Sequence, residues 1–122
     1  MALLYSTGVL VRQRYGISVS ILNRSAQPLH QVAVKLEYGK EYPLGGIGPG
    51  KHKRVFVIPR GGDSIRVDFL DDQNVRHSKL LAGYVEAGYC GHVSAEVVPD
   101  NGVIAQDHSF VLYNWKSWLS FI

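Results

Sequence analysis

The residues with the most chemistry in them are the lone cysteine and its neighbour. Cys90-Gly91-His92 sets a thiol two positions from an imidazole. Residues two apart share a face of an extended strand, so His92 would be placed to draw the proton from Cys90. A thiolate nucleophile also needs an electropositive setting and a third group to orient its base, and the sequence supplies no such group. The plainer account is a small buried Cys90 on a glycine-flanked bend with His92 at the surface. We adopt it, keeping a small Cys/His-dependent enzyme as an alternative function.

His30, His52, His77, His92 and His108 fall singly along the chain. Zinc sites in small proteins pair their ligands at short fixed spacing, and neither Cys-x-x-Cys nor His-x-x-x-His occurs. No metal or other cofactor is expected. Asp68, Asp71, Asp72 and Glu86 would make a carboxylate pair or a calcium loop, but the alternating oxygen ligands and closing glutamate of helix-loop-helix calcium sites are missing. A polar turn between strands accounts for Asp71 and Asp72. Gly45-Gly46-Ile47-Gly48-Pro49-Gly50 resembles a phosphate loop only in its glycines. A phosphate loop opens a helix, whereas a proline and a strand pattern follow here, so this is turn chemistry.

Two surfaces remain. Lys51, Lys53, Arg54 and Arg60 begin the densest basic collection and would suit an anionic surface such as phospholipid head groups. Alternation sends Lys53 and Arg54 to opposite faces of a strand, and edge protection is the bland reading. At the other surface, Trp115, Trp118, Leu119 and Ile122 fall at i, i+3, i+4 and i+7, one face of a short C-terminal helix, with Phe121 beside them. So short a helix needs a surface to rest on. That surface is either the domain's own core or a partner, with Trp115, Trp118, Leu119, Phe121 and Ile122 as the contact residues.

The elements that carry these residues are strands. Ile17, Val19 and Ile21 alternate with Ser18 and Ser20, and Val32, Val34 and Leu36 alternate with Ala33 and Lys35. A short polar turn ending at Pro28 separates the two runs, which therefore read as an antiparallel pair. Pro49-Gly50 presets a tight turn, Pro49 at the first corner and Gly50 at the second, where φ is positive. Val55 and Val57 with Phe56 and Ile58 make a strand apolar on both faces, which predicts burial on both or a second layer. Ile65, Val67 and Phe69 form a half-buried strand, and Asp71 to Asn74 turn it into the next. Asn101-Gly102 is the favoured pair for a two-residue hairpin loop before a last strand from Val103 to Tyr113.

Seven or eight short strands with turns between them predict an all-β, single-domain antiparallel β-sandwich over residues 1–122, a small closed barrel being the other arrangement the pattern allows, with one short C-terminal helix at most. Hydrophobic residues at 46% and charged residues at 19% are ordinary globular composition, and a net charge of +3 is too small to point to nucleic acid. A single cysteine excludes an internal disulfide. The opening residues are a poor secretory leader, broken by Arg12 and Arg14. The compartment stays open, with the cytoplasm as default and the envelope as the alternative.

The run Ile17-Ser18-Val19-Ser20-Ile21-Leu22-Asn23-Arg24-Ser25, then Pro28-Leu29, Val32-Ala33-Val34, Tyr42-Pro43-Leu44-Gly45 and Ile47-Gly48-Pro49-Gly50, resembles the small immunoglobulin-like modules of bacterial envelope and adhesion proteins. The resemblance covers the first half of the chain and implies a binding or spacer module. The expectation is a non-enzymatic module that contacts a partner protein through its sandwich surface and its C-terminal aromatic segment. A peripheral membrane-surface binder that uses the basic residues and the terminal tryptophans, Trp115 and Trp118, is the alternative. If the tail packs between protomers, the protein is a homodimer.

Overall fold

The computed structural model describes residues 16–111. They form eight strands and no helix: β1 (Ile17–Asn23), β2 (Leu29–Leu36), β3 (Glu41–Ile47), β4 (His52–Val57), β5 (Asp63–Leu70), β6 (Arg76–Val85), β7 (Tyr89–Val97) and β8 (Val103–Val111). Two four-stranded sheets face each other, ordered β4-β1-β7-β8 and β3-β2-β5-β6. The fold is a two-sheet all-β arrangement and not a barrel. The segment for which the sequence predicts a short C-terminal helix lies outside the described residues.

Period-two alternation builds the core. β1 buries Ile17, Val19, Ile21 and Asn23 and turns Ser18, Ser20 and Leu22 outward. β5 answers from the other sheet with Ile65, Val67 and Phe69, all but inaccessible. Burying one such side chain contributes about 1.5–3 kcal/mol, so the facing rows of β1, β2, β5 and β7 hold the sheets together.

The antiparallel pairing expected between the first two runs does not occur. β1 pairs with β4 and, in parallel, with β7, while β2 pairs with β3 and β5. The reason lies in the connection. Both runs aim one apolar face at the same interior, and residues 24–28 arch over its end from one sheet to the other. A hairpin there would leave both faces on the same side of a single sheet.

β4 also differs from expectation. It is a sheet edge, with Val57 fully buried and Val55 packed on the core, but Phe56 and Ile58 are exposed. Apolar residues on both faces of a strand do not require two covering layers when the second face lines a cleft.

The turns follow their chemistry with one change. Lys51 N–H donates to Gly48 O at 3.0 Å and Gly50 sits at φ 75°, the corner the Pro49-Gly50 pair prescribes. The β7–β8 hairpin closes through Pro99, Asp100 and Asn101 rather than a two-residue Asn-Gly loop. Val98 N–H donates to Gly102 O, Asn101 N–H donates to Val98 O, and Asn101 takes the left-handed position at φ 63°. Pro99 favours this outcome because its fixed φ suits the first corner of a type I turn. The β5–β6 loop repeats the geometry at Asp71–Val75, with Asn74 also at φ 63°.

Candidate functional site

Strand direction decides which loops meet. The 37–40 turn, the 58–62 segment and the 86–88 turn lie at one end of the sandwich, where β1 begins and β8 ends. Asp63 fixes the first of these. Its Oδ1 accepts the Tyr38 N–H at 3.0 Å and the Ser64 N–H at 2.9 Å. The Ser64 hydroxyl donates to Glu37 Oε2 at 2.9 Å. With the turn so held, Tyr38 projects into solvent, 82% exposed.

Beside Tyr38 opens a cleft of about 560 Å³. Tyr38, Lys40 and Tyr42 line it from the β2–β3 side, and Phe56, Ile58 and Arg60 from the end of β4. Lys40 Nζ lies 5.6 Å from the centre of the Tyr42 ring, a cation–π contact, and Ile58 N–H donates to the Tyr42 hydroxyl at 3.4 Å. The Phe56 ring rests over Gly16, where an added Cβ would lie 2.4 Å from ring carbon. Exposed rings and two cations can hold apolar and anionic groups together, by stacking, burial and charge.

The basic residues singled out in the sequence do not form one patch. Lys51 stands in the turn before β4, and Arg60 stands past its other end, in the cleft. Lys53 Nζ donates to Leu44 O at 2.8 Å, tying the β3 and β4 edges, while Arg54 is exposed beside Ser20. Trp115, Trp118, Leu119, Phe121 and Ile122 lie outside the described residues.

Cys90 and His92 are kept apart in environment. Cys90 is buried and His92 exposed, with Gly91 between them at φ 98°. Desolvation pushes the Cys90 thiol above its ordinary pKa, the direction opposite to an activated thiolate. His92 faces His108 across the β7–β8 ladder, ring centres 6.1 Å apart. Among the described residues no three His, Cys, Asp or Glu side chains gather as a metal site. His77 Nε2 lies 2.9 Å from Asp71 Oδ2, and its ring stacks on Phe69. This hydrogen bond, with those from Val75 and Gln73 N–H, holds the Asp71 carboxyl below the usual range.

Asp68 is the most buried acid, 7% exposed on the outer face of the β2–β5–β6 sheet. Lys35 Nζ lies 2.9 Å and an Arg76 guanidinium nitrogen 3.3 Å from its Oδ2. Burial alone would raise its pKa, but hydrogen bonds from Lys35 and Ser78 and the two positive charges outweigh that, and the pKa falls. A depressed folded pKa stabilises the fold at pH values above the unfolded carboxylate value, about 3.9. That stability is lost as pH falls through the folded value. Asp68→Asn is therefore expected to cost about 1–2 kcal/mol at neutral pH and progressively less at an acid pH, as the carboxyl takes up its proton. Urea unfolding at neutral and acid pH checks it, and a deficit that persists undiminished in acid would assign the loss to packing.

Sequence reasoning singled out Arg60 but not its neighbours. Tyr38, Lys40 and Tyr42 are separated from Phe56 and Ile58 by a whole turn and two strands, and only the meeting of two edge strands joins them. Neither a protein-family model nor a curated protein matches this sequence. A protein from Eubacterium rectale, solved by NMR, is similar in structure with a TM-score of 0.53 and 11% identity. The match covers 78% of this chain and 90% of that one, and at such identity it speaks to fold alone.

Proposed function

We propose that this chain is a non-enzymatic protein-interaction module of the immunoglobulin-like kind, with the aromatic and basic cleft as its contact surface. The finer fold reading is supported by strand order. β1 beside β4 in one sheet, and β2, β5, β6 in the other, repeat the B–E and C–F–G neighbours of such modules. The parallel β7 and the hairpin it starts are additions to that plan.

One observation carries the function. Tyr38, Phe56 and Ile58 are large, exposed and gathered with Lys40 and Arg60 around one cleft. Exposed apolar side chains scattered singly mean little, but a cluster with convergent cations fits a partner segment carrying both apolar and acidic side chains. Trp115, Trp118, Leu119, Phe121 and Ile122, the contact residues the sequence offers, belong to the same proposal.

Affinity capture from native host extract tests the reading, with Tyr38→Ala/Arg60→Glu and a chain lacking residues 112–122 as controls. A single protein recovered in stoichiometric amount is expected, bound about 30-fold more weakly by the double variant. Equal recovery by wild type and double variant would overturn the cleft as the contact surface. Salt-sensitive co-sedimentation with anionic vesicles, and no protein captured, would move the function to a membrane surface. That second reading draws on Arg54 and Phe56, which share the outer face of β4.

A further inference from the structure

The four sheet edges are built differently. The β4 edge carries Lys53 and Arg54, and Lys53 is spent on Leu44 O of the neighbouring β3 edge. The β3 edge contains Pro43 and a Gly45 at φ 76°, and its pairing with β2 slips register twice. The β6 edge carries Arg76 and Lys79 and slips register against β5 near Ile65. Lysines, prolines and bulges are the devices that stop a strand edge from accepting another strand.

β8 has none of the three. Val103-Ile104-Ala105-Gln106-Asp107-His108-Ser109-Phe110-Val111 contains no Lys, Arg, Pro or Gly and follows β7 over nine residues without a register slip. Among the described residues no strand pairs with its outer edge. Residues 104–108 are all exposed, and Ile104 and Phe110 are more than half so. One small block is present. Ser109 N–H, which points away from β7, donates to Asp107 Oδ1 at 2.9 Å, and the Ser109 hydroxyl donates to the same oxygen at 2.5 Å. By the alternation of an antiparallel ladder, Ala105 and Asp107 turn their N–H and C=O groups the same way.

We propose that β8 pairs antiparallel with β8 of a second copy of this chain, joining two four-stranded sheets into one across a two-fold axis. The occupant follows from what the edge requires. It needs a strand as long, as regular and as unblocked as itself, and already ordered, because ordering a loose peptide opposes binding. β8 is the described strand that meets those terms, and a two-fold axis makes one edge serve both sides. Register follows too. Opposed residues must share a face, so the axis passes through one residue. An axis at Asp107 sets two carboxylates against each other, and one at His108 sets two imidazoles together. An axis at Gln106 opposes neutral amides, brings Asp107 opposite Ala105 of the second copy and sets Ile104 beside its His108. Ser109 N–H then exchanges the Asp107 carboxylate for a carbonyl of the second copy, and the carboxylate returns to water.

Sedimentation equilibrium of the full chain tests this. Wild type is expected to dimerise, and Gln106→Lys and Gln106→Glu are each expected to weaken the dimer about tenfold or more, like charges meeting at the axis. An equimolar mixture of the two restores it. Asp107→Ala, which removes the block on Ser109, tightens the dimer. Far-UV circular dichroism confirms that each variant is folded. A wild type that stays monomeric at millimolar concentration would overturn the proposal. So would a dimer that ignores both Gln106 charges, or one lost only when residues 112–122 are removed.

Discussion

Replacing Asn23 by alanine is expected to destabilise the fold by about 3–5 kcal/mol, one of the two largest effects of any single substitution considered. Asn23 is 0% exposed at the end of β1. Its Nδ2 donates to Gln27 O at 2.8 Å and Ile47 O at 2.9 Å. Its Oδ1 accepts the Ser25 N–H at 2.9 Å and the Ser25 hydroxyl at 2.6 Å. Its own backbone adds bonds to Lys51 O and from Gly50 N–H. The side chain therefore fastens the 24–28 arch and the end of β3, while the backbone of the same residue holds the turn into β4. Alanine would remove the side-chain partners of Ile47 O and the Ser25 N–H where water enters poorly, at about 1–3 kcal/mol for each truly buried group, while Gln27 O keeps the Ser25 hydroxyl. Asn23→Asp is expected to be at least as harmful, since a carboxylate would face two carbonyls it cannot donate to. The urea midpoint measures both. A loss under about 1 kcal/mol would mean that the arch holds without this network.

Gly91→Ala is expected to lower Tm by about 10–15 °C, corresponding to roughly 3 kcal/mol. Two effects add. Gly91 stands at φ 98°, where an L side chain is strained by about 1–3 kcal/mol. An added Cβ would also lie 2.5 Å from His108 O and 3.0 Å from the Phe110 ring. The ring can swing away, but the carbonyl belongs to β8 and moves only if the β7–β8 ladder opens. Phe110→Ala should therefore rescue Gly91→Ala only in part. Full rescue in the double variant, read by thermal unfolding, would place the obstruction in the ring alone. The glycine between Cys90 and His92 is thus explained by close strand approach, with no need of a reacting pair.

Side-chain alternation made much of this fold legible. Ile17, Val19 and Ile21 declare one buried face, Ile65, Val67 and Phe69 another, and Pro49-Gly50 fixes its turn by the φ each residue allows. What alternation does not carry is the identity of a strand's neighbour. β1 and β2 read as a hairpin because nothing local distinguishes a turn within a sheet from an arch between sheets. The distinguishing group is Asn23, whose polar side chain looks like a turn former until its bonds to Gln27 and Ile47 are seen. Phe56 and Ile58 failed for a related reason, since an exposed apolar row beside a cleft has the same pattern as one beneath a second layer. The cleft itself joins residues whose strands meet edge to edge across sheets, a relation with no period in the chain.

The parallel pairing of β1 with β7 also governs how the protein comes to fold. Ile17 lies opposite Gly91 and Asn23 opposite Val97, so the centre of one sheet is made from segments far apart in the chain. β5–β6 and β7–β8 are local hairpins that can close in microseconds. The β1–β7 contact must instead wait for a long loop to close before any stabilisation is gained, which places such topologies among those that fold in milliseconds to seconds. Until it forms, β1 keeps one flank unpaired, and on a ribosome that interval lasts until β7 has emerged. The sheet is completed last at its middle, and that interval is when a nascent chain is most exposed to wrong partners.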